Sequence, residues 1–274
     1  MSCFEVVSLM NQAVLITKHD KAKCIAHALA PLGFNVIESH VFDTDSLGTF
    51  VGDIERTLSP KEAALKKAKM ACELLDAEFG LGSEGSFGNG PYPGIVNWND
   101  EILCFYERAT GQAIYASASG PFAISSIQVN SETCRDTLLK KLNHFQDQRW
   151  LLKFEEQVLK GLSSEALIET LADKQLTEAL IEPDLRAMHC PLRQQMISKA
   201  ADDLANRLSA ICPKCNAKNF VVKEAIAGLP CEQCGLATQQ IKQHKYHCEC
   251  CDHTELKNTE QAAADPYYCQ LCNP

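Results

Sequence analysis

Hydrophobic positions in the N-terminal part of the chain follow two alternating periods, one typical of strands and one of helices. The run AVLITK at residues 13–18 is apolar and β-branched, and it predicts a short buried strand. In residues 19–33 apolar side chains recur every three or four positions, which predicts a helix that ends at Gly33. The next apolar run, NVIESHVF at residues 35–42, predicts a second strand.

A second helix begins at a strong capping signal. Ser59 is followed directly by Pro60 and, three positions after the serine, by Glu62. Serine at the cap, proline at the first helical position and glutamate in the first turn together form a typical helix start. Apolar residues at helical spacing then extend the predicted helix through residues 63–77.

Strands continue to alternate with helices to about residue 190. The later segments are, in order, a hairpin over 101–107 and 112–118, a strand or helix over 149–161, a helix over 163–174, a strand over 178–185 and a long amphipathic helix over 191–211. This alternation predicts an α/β domain with a mixed sheet over residues 1–211. Residues 212–274 form a second, smaller region.

Composition limits the class of protein without naming a function. Apolar residues make up 46% of the 274-residue chain and charged residues 22%, as in an ordinary globular protein. The formal net charge of −9 argues against a general nucleic-acid coat, although a local basic patch is compatible with it. Because no apolar run is long enough to span a bilayer and no convincing signal peptide is present, we expect a cytoplasmic protein without a membrane partner.

Nine of the fifteen cysteines lie between residues 212 and 272, and eight of these nine form four Cys-x-x-Cys pairs. The gaps of 15 residues between the first two pairs and 17 between the last two are typical of four-cysteine zinc sites. The spacing therefore predicts two consecutive zinc ribbons, each with a structural Zn²⁺. The predicted ligands are Cys212, Cys215, Cys231 and Cys234 for the first zinc ion, and Cys248, Cys251, Cys269 and Cys272 for the second.

The ligands of the second zinc ion have competitors close by in the sequence. Cys250 could replace a neighbouring cysteine, and His244, His247 and His253 could each replace a thiolate near the third pair. A redox dithiol is the other interpretation of a Cys-x-x-Cys pair, but four pairs at ribbon spacing disfavour it.

Two polar segments near the predicted strand ends are candidates for a phosphate site, since open α/β sheets bind ligands there. The segment TKHDK places Thr17, His19 and Lys21 at a helix start, where backbone N–H groups and lysines suit a phosphate. The acidic loop that follows the second strand supplies Asp45 as a candidate ligand for a divalent cation. A solvated helix start and a solvated loop are the alternatives.

Glu84 is the third candidate of this group. It lies within FGLGSEGSFG at residues 79–88, which predicts a strand followed by a glycine-rich turn. A carboxylate that only caps a turn does not need so many glycines around it. We therefore interpret Glu84 as a catalytic or metal-binding carboxylate, with Asp45 as a second candidate ligand for Mg²⁺ or Mn²⁺.

The order of these motifs resembles that of the house-cleaning inosine/xanthosine triphosphate pyrophosphatases, nearest to their noncanonical purine phosphatase branch. The similarity covers residues 13 to about 120 and rests on T-x-x-x-K after the first strand, K-x-x-A-x-K-K-A in the second helix and G-x-x-x-E-G after it. The resemblance implies a Mg²⁺-dependent pyrophosphatase, commonly a homodimer. In it Thr17 and Lys21 contact the triphosphate, Lys66 or Lys67 lies near the phosphates, and Glu84 holds the metal or positions the attacking water.

The same family uses a histidine and an arginine near a late helix to hold the base and phosphates. In DLRAMHCPLR, Arg186, His189 and Arg193 lie three and four positions apart, and the resemblance implies this role for them. The alternative, which we favour slightly, is a patch of ion pairs with Asp184 and Glu182.

Over nearly its whole length the chain also resembles an uncharacterised bacterial family that combines SEGSFG, DTDxLGTF and paired terminal ribbons, a resemblance that implies no function. Two hypotheses follow from the sequence. One is a metal-dependent nucleotide phosphohydrolase, and the other is a non-enzymatic zinc protein whose ribbons contact protein or nucleic acid. Acidic residues offset the lysines of the ribbon region, which disfavours nucleic acid as the partner.

Overall fold

The structure is a computed structural model that describes residues 10–42, 58–88, 90–91 and 95–274. These described residues form a mixed α/β fold with three sheets. The chain divides into two compact units, Met1–Ala205 and Asn206–Pro274. The predicted domain boundary between residues 211 and 212 stays a prediction. Among the described residues, no helix combines the length and the apolar character that crossing a membrane requires.

The first sheet of the first unit has five strands in the order β2-β1-β3-β4-β5. Strand β1 is parallel to both β2 and β3, whereas β3, β4 and β5 are antiparallel. The sheet is therefore mixed, as predicted. Its elements are, in chain order, β1 (Asn11–Ile16), α1 (Ala22–Leu29), β2 (Phe34–Ser39), α2 (Pro60–Leu75), β3 (Phe79–Gly88), β4 (Trp98–Glu107) and β5 (Gln112–Pro121).

Helix α2 starts as the sequence predicts. Ser59 caps it, its hydroxyl accepts a hydrogen bond from the amide of Glu62, and the Glu62 carboxylate accepts one from the amide of Ser59. Small residues of α2, Ala64, Ala68 and Ala71, are fully buried. The helix can therefore lie very close to the sheet.

The stretch FGLGSEGSFG is strand β3 along its whole length, so the predicted glycine-rich turn around Glu84 is wrong. Two of its glycines are needed for packing: a Cβ at Gly80 or Gly82 would overlap the backbone oxygen of Ala68 or Ala64 in α2. In the register of the sheet, Leu15 of β1 pairs with Leu81 of β3. The carboxyl end of β1 consequently lies beside the middle of β3.

The second sheet of the first unit has four antiparallel strands in the order β6-β9-β7-β8. Residues 149–161, for which the sequence predicts either a strand or a helix, belong to the hairpin β7–β8, and Glu155 takes a positive φ in its tight turn. The core includes the fully buried Trp150 and Ile181. The elements are β6 (Ile127–Val129), α3 (Arg135–Asn143), β7 (Trp150–Phe154), β8 (Gln157–Leu162), α4 (Ser164–Asp173), β9 (Ala179–Pro183) and α5 (Pro191–Ser209).

The second unit contains a sheet of three antiparallel strands, β10 (Val221–Ala227), β11 (Ile241–His247) and β12 (Thr254–Asn258). Each strand separates two consecutive Cys-x-x-Cys pairs. The positions of the pairs therefore follow from the directions of the strands.

Candidate metal centres and a buried charged site

Eight cysteines of the second unit form two quartets, and in each quartet the ligand atoms lie within 4.8 Å of one another. The quartets are Cys212, Cys215, Cys248 and Cys251, and Cys231, Cys234, Cys269 and Cys272. All eight predicted ligands are thus present, but the predicted pairing of the first two and the last two Cys-x-x-Cys pairs is wrong. The first pair joins the third, and the second joins the fourth.

Strand direction explains this interleaved pairing. A single strand carries the chain from one end of the sheet to the other, so Cys-x-x-Cys pairs separated by one strand lie at opposite ends. Strand β10 separates the first and second pairs, β11 the second and third, and β12 the third and fourth. Alternate pairs therefore meet, and one quartet forms at each end of the sheet.

The sulfur positions fit tetrahedral zinc. Zinc–sulfur distances of about 2.3 Å in a tetrahedron place the sulfur atoms about 3.8 Å apart. In the first quartet the Sγ atoms of Cys212 and Cys251 are 3.8 Å apart. In the second quartet those of Cys231 and Cys272 are 3.9 Å apart. Both quartets can hold a zinc ion in a closed site, which is the type of site that stabilises a fold.

The backbone around each pair is also arranged for metal binding. Three of the four residues that follow a pair, Asn216, Gly235 and Asp252, have positive φ, and each donates its amide to the carbonyl of the first cysteine of its pair. At the fourth pair the amides of Cys272 and Leu271 lower the pKa of Cys269 to about 7. Hydrogen bonds of this kind favour the thiolate, the form that binds zinc.

The alternative ligands considered for the second zinc ion lie outside both quartets. Cys250 is exposed. The ring of His247 is 3.3 Å from the Thr254 hydroxyl, and His253 stacks on Phe220 and lies 3.2 Å from Glu255. These side chains therefore flank the metal site without belonging to the ligand set.

A buried charged site lies in the first unit, where β1 ends beside β3. Thr17 and Lys21 follow β1 and are each 4% exposed. The Lys21 ammonium donates hydrogen bonds to the hydroxyl of Ser83 at 3.2 Å and to its carbonyl at 3.4 Å. On the next residue of β3, Glu84 pairs with Lys67 of α2, and both side chains are 11% exposed.

Glu101 and Arg193 complete this site from β4 and α5. Their side chains are 0% and 2% exposed, and Arg193 Nε lies 2.6 Å from Glu101 Oε1. Burial lowers the pKa of Lys21 to about 7, with Arg193 and Lys67 acting in the same direction and Glu101 and Glu84 opposing them. Such a strongly perturbed lysine among other charged groups marks a candidate functional site.

The charged site also lies where ligands bind in open α/β sheets. Strand β2 lies on one side of β1 and β3 lies on the other. The connection from β1 to β2 and the connection from β2 to β3 therefore cross the sheet in opposite directions. Ligands of such sheets bind outside the carboxyl ends of the strands at this point. Asp20, which lies in the loop after β1, takes a positive φ of 52°, a conformation that is uncommon outside glycine.

The structure brings some predicted site residues together and leaves others apart. Lys67 reaches Glu84, whereas the neighbouring Lys66 is exposed. The amide of His19 donates to the hydroxyl of Thr17 at 3.2 Å, which shapes the loop after β1. Asp45, the second candidate for the divalent cation, lies outside the described residues.

Arg186, His189 and Arg193 do not share a helical face, because α5 begins only at Pro191. Arg186 forms a two-pronged ion pair with Asp184, whereas Glu182, the other acid of the alternative interpretation, pairs with Lys153. Burial lowers the pKa of His189. Only Arg193 enters the charged site beside Lys21.

Sequence reasoning missed Ser83, Asn99 and Glu101. Asn99 and Glu101 are buried on the same face of β4 as the core residues Leu103 and Phe105. Strand residues alternate between the two faces of a sheet, and polar residues at positions that this alternation assigns to the core are the sequence signal for Asn99 and Glu101.

The fold and the two cysteine quartets define a mixed α/β protein with two candidate zinc centres. Residues 67–274 match the family described as Domain of unknown function (DUF6671), and the chain belongs to that family. The matched region includes Glu84, Glu101, Arg193 and all eight quartet cysteines. No curated protein and no solved structure matches the chain.

Proposed function

We propose that the first unit is a metal-dependent nucleotide phosphohydrolase, similar to pyrophosphatases and acting on modified nucleoside triphosphates. The observation that carries this proposal is the buried set of three cations, Lys21, Lys67 and Arg193, with two carboxylates, Glu84 and Glu101. A buried charge without a partner is costly, and among the described residues the site has one cation more than it has carboxylates, which favours an anionic ligand. A nucleotide phosphate supplies that charge.

The residues around the excess charge can support phosphoryl transfer. Lys21 would contact a phosphate oxygen and stabilise the negative charge that develops there. Glu84 would exchange its contact with Lys67 for the attacking water or for a divalent cation. Lys67, released from Glu84, would then face the phosphates from α2.

A Mg²⁺ or Mn²⁺ ion would supply charge neutralisation on the phosphates when bound. Such an ion keeps several waters and takes only one or two protein carboxylates, and Glu84 fits that requirement. Among the described residues, the groups of three or more metal-ligating side chains are the two cysteine quartets, and Glu84 is in neither. The candidate second carboxylate, Asp45, belongs to the segment outside the described residues.

A cavity next to the charged site suits the nucleoside. It has a volume of about 320 Å³ and lies between the two sheets of the first unit, with Phe87, Phe122 and Leu185 in its lining. Phe87 and Phe122 pack edge to face at 4.9 Å. The cavity adjoins the charged site, because Arg193 donates a hydrogen bond to the carbonyl of Leu185 and lies 5.9 Å from the Phe87 ring. Mostly apolar pockets of this size with a few polar groups are typical of small-molecule sites.

The test is release of phosphate and pyrophosphate from a panel of nucleoside triphosphates that includes the inosine and xanthosine forms, with Mg²⁺ or Mn²⁺. Glu84→Gln keeps the shape of the side chain and removes its charge, so we expect turnover to fall by at least about 100-fold. Lys67→Met should lose activity similarly, whereas Lys66→Met, the exposed neighbour, should retain it. Zinc content, measured in parallel, reports that each variant has kept its second unit.

A second candidate function is a non-enzymatic zinc module that binds a partner protein. Around the second quartet, the side chains of Leu236, Tyr267, Tyr268 and Leu271 are all exposed, from 46% to 71%. The first quartet, in contrast, has the buried Phe220 against it. An exposed apolar patch of this kind is typical of an interaction surface.

Charge near the second quartet favours protein over nucleic acid as the partner. Residues 228–241 and 258–274 contain no lysine or arginine but include Glu232, Glu260 and Asp265. An acidic surface repels phosphate backbones. If no nucleotide is turned over while both zinc ions are bound, the phosphohydrolase proposal is wrong and this second candidate is the better account.

A further inference from the structure

The ion pair between Glu101 and Arg193 lies beside the proposed site, and its side chains are 0% and 2% exposed. Arg193 Nε lies 2.6 Å from Glu101 Oε1, and its Nη2 lies 3.4 Å from Oε2. Arg193 Nη1 donates to the carbonyl of Leu185 at 2.6 Å, and Asn99 donates to Glu101 Oε1 at 3.1 Å. The pair therefore joins β4, α5 and the segment that precedes α5.

These contacts do not suit a substrate-binding arginine. All three nitrogens of the guanidinium already donate hydrogen bonds, and Arg193 is 1% exposed. At this burial a ligand could reach the guanidinium only by displacing the groups packed around it, and the loss of one partner of a buried ion pair is strongly destabilising. Arg193 therefore acts through the part of the structure that its ion pair with Glu101 supports.

What the pair holds in place is strand β3. A Cβ at Gly85 would overlap Glu101 Oε1 and lie 2.7 Å from Arg193 Nη2, so the pair packs directly on the backbone of Gly85. Gly85 follows Glu84, and Ser83, which binds the ammonium of Lys21, precedes it. The pair consequently supports the part of β3 that carries Glu84 and Ser83, the residue to which the Lys21 ammonium donates.

We propose that Glu101 and Arg193 are a positioning pair, which fixes β3 against Lys21 and sets the charge balance around its ammonium without contacting the substrate. The proposal rests on the proposed function, since it assigns the pair to the phosphate-binding lysine of that site. It replaces the substrate-binding role that the resemblance implies for Arg193.

Glu38 on β2 accepts a hydrogen bond from the amide of Ala22, next to Lys21, and the charges with the largest effect on Lys21 lie on four other elements. They are Glu84 on β3, Glu101 on β4, Lys67 on α2 and Arg193 on α5. Cys24 on α1 is buried and its pKa is raised by burial, so it is a neutral thiol at neutral pH. Glu101 raises the pKa of Lys21 and Arg193 lowers it. Removal of one or the other member of the pair should therefore act on Lys21 in opposite directions.

The experiment is a ¹³C NMR titration of full-length protein labelled at the lysine Cε positions, in which the Lys21 signal is identified by its absence from Lys21→Met. We expect the pKa of Lys21 to fall in Glu101→Gln and to rise in Arg193→Met. A general loosening of the fold would hydrate Lys21 and raise its pKa in both variants. Arg108→Met, which removes an exposed arginine paired with Asp76, is the control and should leave Lys21 unchanged.

The variant Arg193→Lys tests the hydrogen bonds of the Arg193 side chain separately from its charge. Lysine keeps the positive charge but cannot donate the forked hydrogen bonds to Glu101 together with the one to Leu185. We expect the pKa of Lys21 to stay near the wild-type value in this variant, while kcat falls about 100-fold, as for a small misplacement of catalytic groups. The KM should change little, because no contact with the substrate is lost.

Two outcomes would overturn the proposal. One is a shift of the Lys21 pKa in the same direction, or no shift, in Glu101→Gln and Arg193→Met. The other is a raised KM with unchanged kcat in Arg193→Lys, since that result would make Arg193 a substrate contact. Failure of wild type to hydrolyse any nucleotide would refute the phosphohydrolase itself, and the titration would still decide whether the pair acts on Lys21.

Discussion

At the scale of single residues, the glycines of β3 determine how closely the neighbouring helix approaches. Gly82 leaves room for the carbonyl of Ala64, so α2 lies directly on the strand backbone. This close approach brings Lys67 of α2 within reach of Glu84. The glycines thus contribute to the charged site through packing, although none of them has a side chain to offer a ligand.

Gly82→Ala should destabilise the protein, because the added methyl group would overlap the backbone of α2. Overpacking of this kind costs about 1–3 kcal/mol, and backbone atoms cannot move aside as a side chain can. Gly88→Ala is the matched control in the same strand. Its Cβ would meet nothing within 4 Å, so we expect a change within about 0.5 kcal/mol. Urea unfolding followed by tryptophan fluorescence measures both, and equal stability of the two variants would refute this packing account.

The residues of the charged site could be predicted only where a local motif marks them. Thr17 and Lys21 lie just before α1 and Glu84 lies beside glycines, whereas Lys67 is predicted only by the motif in α2 on which the resemblance rests. Glu101 lies within the apolar segment EILCFYE, and its partner Arg193 is 92 positions away. A partner at that distance follows from the fold and not from any local pattern.

At the scale of elements, the number of strands between Cys-x-x-Cys pairs decides which pairs share a metal. The gap lengths of 15 and 17 residues predict four-cysteine sites but do not distinguish a hairpin from a single strand. With a hairpin between pairs, consecutive pairs would meet at one end of the sheet. With one strand between them, alternate pairs meet, as in this structure.

Double variants test the interleaved pairing directly. Cys215→Ser with Cys248→Ser removes two ligands of one quartet and leaves the other complete, so we expect one tightly bound zinc ion per chain. Cys215→Ser with Cys234→Ser takes one ligand from each quartet, so zinc content should fall well below one. Elemental analysis of purified protein gives the ratio, and the reverse order of the two variants would support consecutive ribbons instead.

The prediction of elements failed where glycine has a packing role. Glycine-rich stretches usually indicate turns, and FGLGSEGSFG predicts a turn for that reason. In this sheet the same glycines are strand residues under a close helix. The capping box at Ser59 was predicted correctly, because its signal is confined to four consecutive residues.

At the scale of the whole molecule, the two units carry different kinds of candidate site. The first carries a buried charged site beside a cavity, and the second carries two candidate zinc sites. The family match starts at residue 67, so it includes Lys67 and Glu84 but not Thr17 and Lys21. The proposed phosphate site therefore includes residues of both the matched region and the segment before it. A homodimer and a cytoplasmic location stay predictions.

Calorimetric titration measures whether the buried charged site of the first unit binds a nucleotide phosphate, as we propose. The titration uses Mg²⁺ with a non-hydrolysable inosine triphosphate analogue at pH 7.5 and pH 8.5, where the phosphates are fully ionised. The pKa of Lys21 is about 7 without ligand, and a bound anion raises it, so binding should take up a proton.

We predict that affinity for the analogue falls by up to about tenfold from pH 7.5 to pH 8.5, and that Lys21→Met both weakens binding and abolishes this pH dependence. Lys66→Met should bind as wild type does. Binding by Lys21→Met with wild-type affinity and wild-type pH dependence, or no binding by wild type at either pH, would contradict the assignment of this site to a nucleotide phosphate.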